Sequence, residues 1–326
     1  MNSLWRTIAV AASVAAYCTS GFGQTVEQPV VLIIETENGV FYRGDVTDST
    51  KMARDPAVTT PGPARAFQYS HGISDIVAVN GKPAKGFNYY RGAVLMARAN
   101  PQPGQTIADH DGNGPYLCFW QIQGPDGTWI GSLWDGGGLP APSHAILAGN
   151  GAFFGVSGQH REMEATVMGR VASVTEDPAN RRILPGGGKM RTTFHLYPKY
   201  RPGVDMTADG PAVFRAADFS PVTAAKPARA GEVLMVRARN LGPTRPELLP
   251  PGSRPFKADP VEMVNSPVGV TVNGKEVEVI NQVGWPGTYD LYRVDFRVPS
   301  GLPPGMATIQ LTAAWIPSPE FKIPVQ

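Results

Sequence analysis

Glycine and proline punctuate this chain so closely that, beyond Gly23, no stretch free of both outruns a single ordinary α-helix. Such a helix has about 11–12 residues and is weakened by either glycine or proline. Long helices have almost nowhere to sit, whereas short strands joined by tight turns fit throughout. The 37 glycines and 32 prolines make up about a fifth of the 326 residues, against an average of about 12%. Hydrophobic residues, at 42%, supply material for real cores, and charged residues, at 17%, fall below the usual quarter. A disordered chain shows the opposite balance.

The N-terminal segment, Met1 to Gly23, reads as a secretory signal. Arg6 provides a positive start, IAVAASVAA (8–16) a short apolar run, and Gly21 and Gly23 small residues suited to cleavage before Gln24. The run is too short to span a bilayer and no longer one follows, so no membrane span is expected. Cys18 follows Tyr17, where a lipoprotein signal needs a small residue. The expected location is secreted or periplasmic. Cleavage removes Arg6 and leaves basic and acidic side chains almost balanced, which steers charged partners weakly. The longest basic run is Arg181-Arg182, which excludes the clustered basic face of a nucleic-acid binder. Cleavage also leaves Cys118 alone, so no internal disulfide is available, and its apolar surroundings (116–120) predict a buried, inert thiol.

Apolar, β-branched runs recur at short intervals. Within 24–205, strands are expected at 30–36, 40–46, 66–69, 73–80, 89–98, 116–123, 128–134, 145–147, 159–168, 170–176 and 190–197. Asn38-Gly39 lies between the first two and predicts a hairpin, because both central residues of a tight turn need positive φ. GPDG (124–127) predicts another turn. Strands at this spacing without helices between them form a barrel or a sandwich. The segment 206–216 shows no periodicity and reads as a linker. The segment 217–326 holds about seven short strands, with Asn273-Gly274 in a second hairpin. The fold class expected is all-β: a barrel or sandwich followed by an immunoglobulin-like sandwich.

Two resemblances sharpen this. The stretches NLGPTRP (240–246), PVGVTVNGKEVEV (267–279) and PGTYDLYRVDFRVPSGLPPG (286–305) resemble the TIG-like C-terminal domain of uncharacterised secreted bacterial proteins. That resemblance implies an accessory module and brings no catalytic residues. Asp290 departs from the family pattern, which has glycine there. The segment HAILAGNGAFFGVSGQHREM (144–163) resembles the allene oxide cyclase and dirigent barrel, with Gly149, Asn150, Gly151, Phe153, Gly155 and Gly158 in the glycine-aromatic turn before a late strand. Glycines permit the tight path, and the aromatic is expected to plug a barrel end. This second resemblance implies that the first unit is an antiparallel eight-stranded β-barrel, with a pocket for a reactive apolar substrate, and a homo-oligomer.

No spacing spells out a chemistry. Asp109, Asp111 and Asn113 open like a calcium loop, but the twelfth position, which needs a bidentate carboxylate, is Trp120. No metal or cofactor is therefore expected. The five histidines (71, 110, 144, 160, 195) lack the pairing of a helical zinc site. Arg191, Thr193, His195 and Tyr197 share one strand face, as do His160 and Glu162. If that face points inward, Arg191, His195 and Tyr197 form a catalytic wall; if outward, a solvated exterior. Trp120, Trp129 and Trp134 fall close together in the chain and are either a sugar-stacking platform or core. Three functions stay open: a binding or surface-interaction protein holding a small apolar ligand or glycan, a barrel cyclase or isomerase, and a structural or adhesion protein with a filled barrel.

Overall fold

A computed structural model describes residues 28–43, 65–96, 112–137, 143–173, 175–246, 248 and 252–326. Eight antiparallel strands close into a barrel in simple meander order. They are β1 (Val30–Arg43), β2 (Arg65–Val79), β3 (Lys85–Met96), β4 (Gly112–Gln123), β5 (Trp129–Gly137), β6 (His144–Gly151), β7 (Ser157–Val167) and β8 (Gly188–Tyr197), with β8 returning to β1. Alternation sets the interior. Along β8, Thr192, Phe194 and Leu196 are buried, while Arg191 and Tyr197 are exposed and Thr193 and His195 half-buried. Inward Leu32, Ile34, Val79, Trp120, Ile122, Leu133, Phe194 and Leu196 belong to one packed cluster.

The first hairpin is overturned. Val30–Arg43 is a single strand, with register shifts around Thr36 and Gly39 against both neighbours. Asn38 does take positive φ, but it spends it on a bulge that keeps β1 between β8 and β2. The GPDG turn joins β4 to β5, closed by the Gly124 N–H donating to the Thr128 carbonyl at 2.8 Å. Asn80-Gly81, both at positive φ, turn the chain after β2 in the same manner.

The C-terminal unit has two sheets. One contains β9 (Val213–Arg215), β10 (Val233–Arg239), β12 (Val279–Gly284) and β13 (Tyr292–Arg297); the other contains β11 (Val268–Val272), β14 (Gly305–Ala313) and β15 (Phe321–Val325). Leu234, Val236, Tyr292, Val294 and Phe296 from the first meet Val270, Ile309, Leu311 and Ile323 from the second in a shared core. The Asn273-Gly274 hairpin is present. Within 206–216, Met206–Thr207 pairs with Gly210–Pro211 and β9 pairs with β10, and Val213 is buried in this second core.

The units meet at one barrel end. Ala314 and Trp315, both at positive φ, form the two-residue turn after β14. Non-glycine residues resist that conformation. Here the tip is held because Ala314, Trp315 and Ile316 pack into the barrel cluster that includes Phe153.

Candidate functional site

Four consecutive barrel strands each turn one reactive side chain inward. Cys118 (β4) and Asp135 (β5) are direct register partners, as are His144 (β6) and His160 (β7). A register shift between Trp134 and Asp135 sets Asp135 against Ile146 and keeps it facing inward, near His144. Asp135 is fully buried. Its Oδ1 accepts from His144 Nδ1 at 2.8 Å and its Oδ2 from Trp120 Nε1 at 2.6 Å. His160 Nδ1 lies 3.3 Å from the same Oδ1. That contact lacks hydrogen-bond alignment, and neither ring nitrogen of the fully buried His160 has a hydrogen-bond partner. Cys118 Sγ is 3.8 Å from His144 Nδ1.

Aromatic rings continue the wall. His144 and His160 are 4.3 Å apart between centroids, Tyr116 stacks on His144 at 6.0 Å, and Tyr90 follows Tyr116 at 6.0 Å. Two glycines make room: Tyr90 lies over Gly72 and Tyr116 over Gly92, where any Cβ would overlap ring carbons.

The electrostatics limit the chemistry. Burial alone would raise the Asp135 carboxyl, but contacts with His144, His160 and Trp120 hold it below the usual carboxylate range. Burial and the Asp135 charge push the Cys118 thiol up, so it is no free thiolate nucleophile. It also faces the His144 nitrogen already committed to Asp135, which rules out a Cys–His nucleophile pair in this arrangement.

A second site lies at the barrel end away from this cluster, between the two units. A cleft of about 330 Å³ is lined by Trp129, Asn150, Phe154, Tyr200, Asn240 and Asp290 among others. Phe154 is 63% exposed and Tyr200 47%. The turn that presents Phe154 follows the glycine-aromatic pattern, with Gly151 and Gly155 at positive φ and Phe153 buried in the cluster shared with the second unit's tip. A Cβ on Gly149 would strike the Phe153 carbonyl oxygen. Across the cleft, Asp290 accepts the Asn240 backbone N–H at 3.2 Å, and burial pushes its carboxyl up. Arg245 of the second unit donates to Thr128 Oγ1 at 3.0 Å, which ties the two units together.

The residues singled out from sequence separate. Trp120 is 1% exposed and sits in the barrel core, Trp134 is 38% exposed on the outer wall against Phe119, and Trp129 lines the cleft. They do not form one platform, because alternation and a register shift between Ile122 and Gln123 divide them. Arg191, His195 and Tyr197 lie on the outward face of β8, since its inward positions are Thr192, Phe194 and Leu196. Asp109 and Asp111 fall outside the described residues, as does the Asn113 side chain. His144 and His160 do converge, and Asp135, which sequence reasoning missed, joins them. Among the described residues no helix is long and apolar enough to cross a membrane. The chain matches no family model, no curated protein and no solved structure.

Proposed function

We propose that this chain is an exported carbohydrate-binding protein, a dirigent-like barrel with a TIG-like, immunoglobulin-type accessory unit, which takes a neutral glycan in the cleft between the two. The observation that carries this reading is the cleft's composition: Trp129, Phe154 and Tyr200 beside Asn150, Asn240 and Asp290. Aromatic faces cover the C–H faces of sugar rings, and amides and a carboxylate bind hydroxyls through hydrogen bonds. The volume suits a few sugar units, at the lower end of ordinary ligand sites. An apolar ligand inside the barrel is less well supported, because inward side chains pack against one another there. The same packing argues against the barrel-enzyme reading, which needs an open interior.

The test is calorimetric titration with gluco-, xylo-, manno- and chito-oligosaccharides. At least one series binds, and Phe154→Ala weakens it about tenfold, the loss of one stacking contact. Failure of every series, or binding indifferent to Phe154→Ala and Tyr200→Ala together, would sink the proposal.

A further inference from the structure

We propose that Cys118, Asp135, His144 and His160 form a closed four-ligand site for a divalent ion of the zinc class inside the barrel. The ligand types are those that such an ion takes: one thiolate, one carboxylate and two imidazoles. Bonds of about 2.0–2.3 Å around a tetrahedral centre separate ligand atoms by roughly 3.3–3.8 Å. His160 Nδ1 lies 3.3 Å from Asp135 Oδ1, and Cys118 Sγ lies 3.8 Å from His144 Nδ1. The sulfur, a carboxylate oxygen and a His144 nitrogen all fall within 4.8 Å of one another; His160 stands outside that set of three, against the same Asp135 Oδ1, and its ring shifts inward to become the fourth ligand. The 2.8 Å contact between His144 and Asp135 holds a proton where the ion would sit, and opens by about half an ångström to admit it. On binding, His144 passes to the tautomer that carries its proton on Nε2, which leaves Nδ1 free for the ion, and the thiol proton is released.

Three independent features point the same way. His160 is fully buried with both ring nitrogens unpartnered, and a buried polar group in that state calls for a partner. Charge also closes: one thiolate and one carboxylate neutralise a divalent ion, as a buried site requires. Finally, Trp120 Nε1 donates to Oδ2, which leaves Oδ1 oriented as an outer hydrogen bond orients a ligating carboxylate.

With four protein ligands no coordination position remains for water, so the ion's role is structural. It clips β4, β5, β6 and β7 together in a barrel whose described cysteine, Cys118, is free of any disulfide. The site shares no residue with the cleft, so the two proposals stand or fall separately.

The experiment uses the full chain. Purified from zinc-supplemented culture and dialysed, it carries about one zinc per chain by mass spectrometry. Stripping with a chelator lowers Tm by about 10 °C, and zinc restores it. Cobalt added to the stripped chain gives tetrahedral visible bands and a thiolate-to-cobalt charge-transfer band. Cys118→Ser abolishes the charge-transfer band, and His160→Gln weakens zinc at least about tenfold. Uptake below about 0.1 zinc per chain at micromolar free zinc overturns the proposal. So does cobalt uptake without the thiolate band, a measurement on the unmutated chain that holds even if the variants fail to fold.

Discussion

Phe153 and Phe154 are neighbours on one barrel turn and end in opposite surroundings. Phe153 is 1% exposed in a cluster with Ala314, Ile316 and the barrel core; Phe154 is 63% exposed in the cleft with Trp129 and Tyr200. The same contrast separates the two regions that they face. Inside the barrel, rings and polar groups meet one another: Trp120 donates to Asp135, Asp135 accepts from His144, and Trp120 packs edge-on against Phe194 at 5.1 Å. In the cleft, exposed aromatic rings stand beside an acid, Asp290. Groups that satisfy one another contribute stability. Groups presented to an open volume contribute recognition, at some cost in stability.

Two substitutions inside the barrel break this contrast most strongly. Phe153→Ala removes a ring that plugs the barrel against the second unit. A cost of about 4 kcal/mol is expected in urea-induced unfolding, the ordinary range for a buried phenylalanine. A cost below about 1 kcal/mol would show that the junction is loosely packed. Asp135→Ala comes next, measured in chelator so that only protein–protein bonds count. It leaves Trp120 Nε1 and His144 Nδ1 without their shared acceptor in a buried site, for an expected loss of about 3 kcal/mol. Unchanged stability would mean that those donors find other acceptors.

These regions were unequally legible in the sequence. The all-β class, the GPDG turn and the Asn273-Gly274 hairpin follow from glycine and proline spacing and from turn chemistry, which are local; spacing alone left the first unit a barrel or a sandwich, and the eight-stranded barrel was expected only from the resemblance of 144–163. Asn38-Gly39 misled because positive φ serves a bulge as well as a turn. What decides between them is pairing with β8 and with β2, far away in the chain. The strands within 206–216 were hidden for a related reason: pieces as short as Met206–Thr207 and Val213–Arg215 cannot show a period. The inner cluster was invisible because its members are scattered along four strands, and a register shift at Asp135 decides which way it faces. A lone aspartate in a strand reads as solvated until register is known. The cleft combines side chains from Trp129 to Asp290, which stand far apart in the chain, and no spacing marks them as one site.

Phe154→Ala sharpens the comparison from the other side. An exposed ring contributes little to folding, so stability should change by no more than about 0.5 kcal/mol, while oligosaccharide affinity falls about tenfold. A loss of stability comparable to that of Phe153→Ala would place Phe154 functionally in the core and erase the distinction between the two neighbours.

Asp290→Asn should have the smallest effect and is diagnostic through its pH dependence. Burial raises the Asp290 carboxyl in the folded chain, with the Asn240 N–H and Arg239 only partly opposing it. The fold therefore holds the proton more tightly than the unfolded chain, whose aspartates titrate at about 3.9. The stability that this group contributes is present below that value and is lost as pH rises through the folded value. Asparagine does not titrate, fills the same volume and keeps an acceptor for the Asn240 N–H. The wild type should thus lose Tm relative to Asp290→Asn as pH rises from about 3 toward 7, with the variant the more stable at neutral pH. Parallel curves would mean that the carboxylate is already solvated or paired in the folded state, and Asp290 would then belong with the self-satisfied groups of the interior. Diverging curves, together with weaker oligosaccharide binding by the variant, would mark it as a charge held at the cleft at a cost to folding.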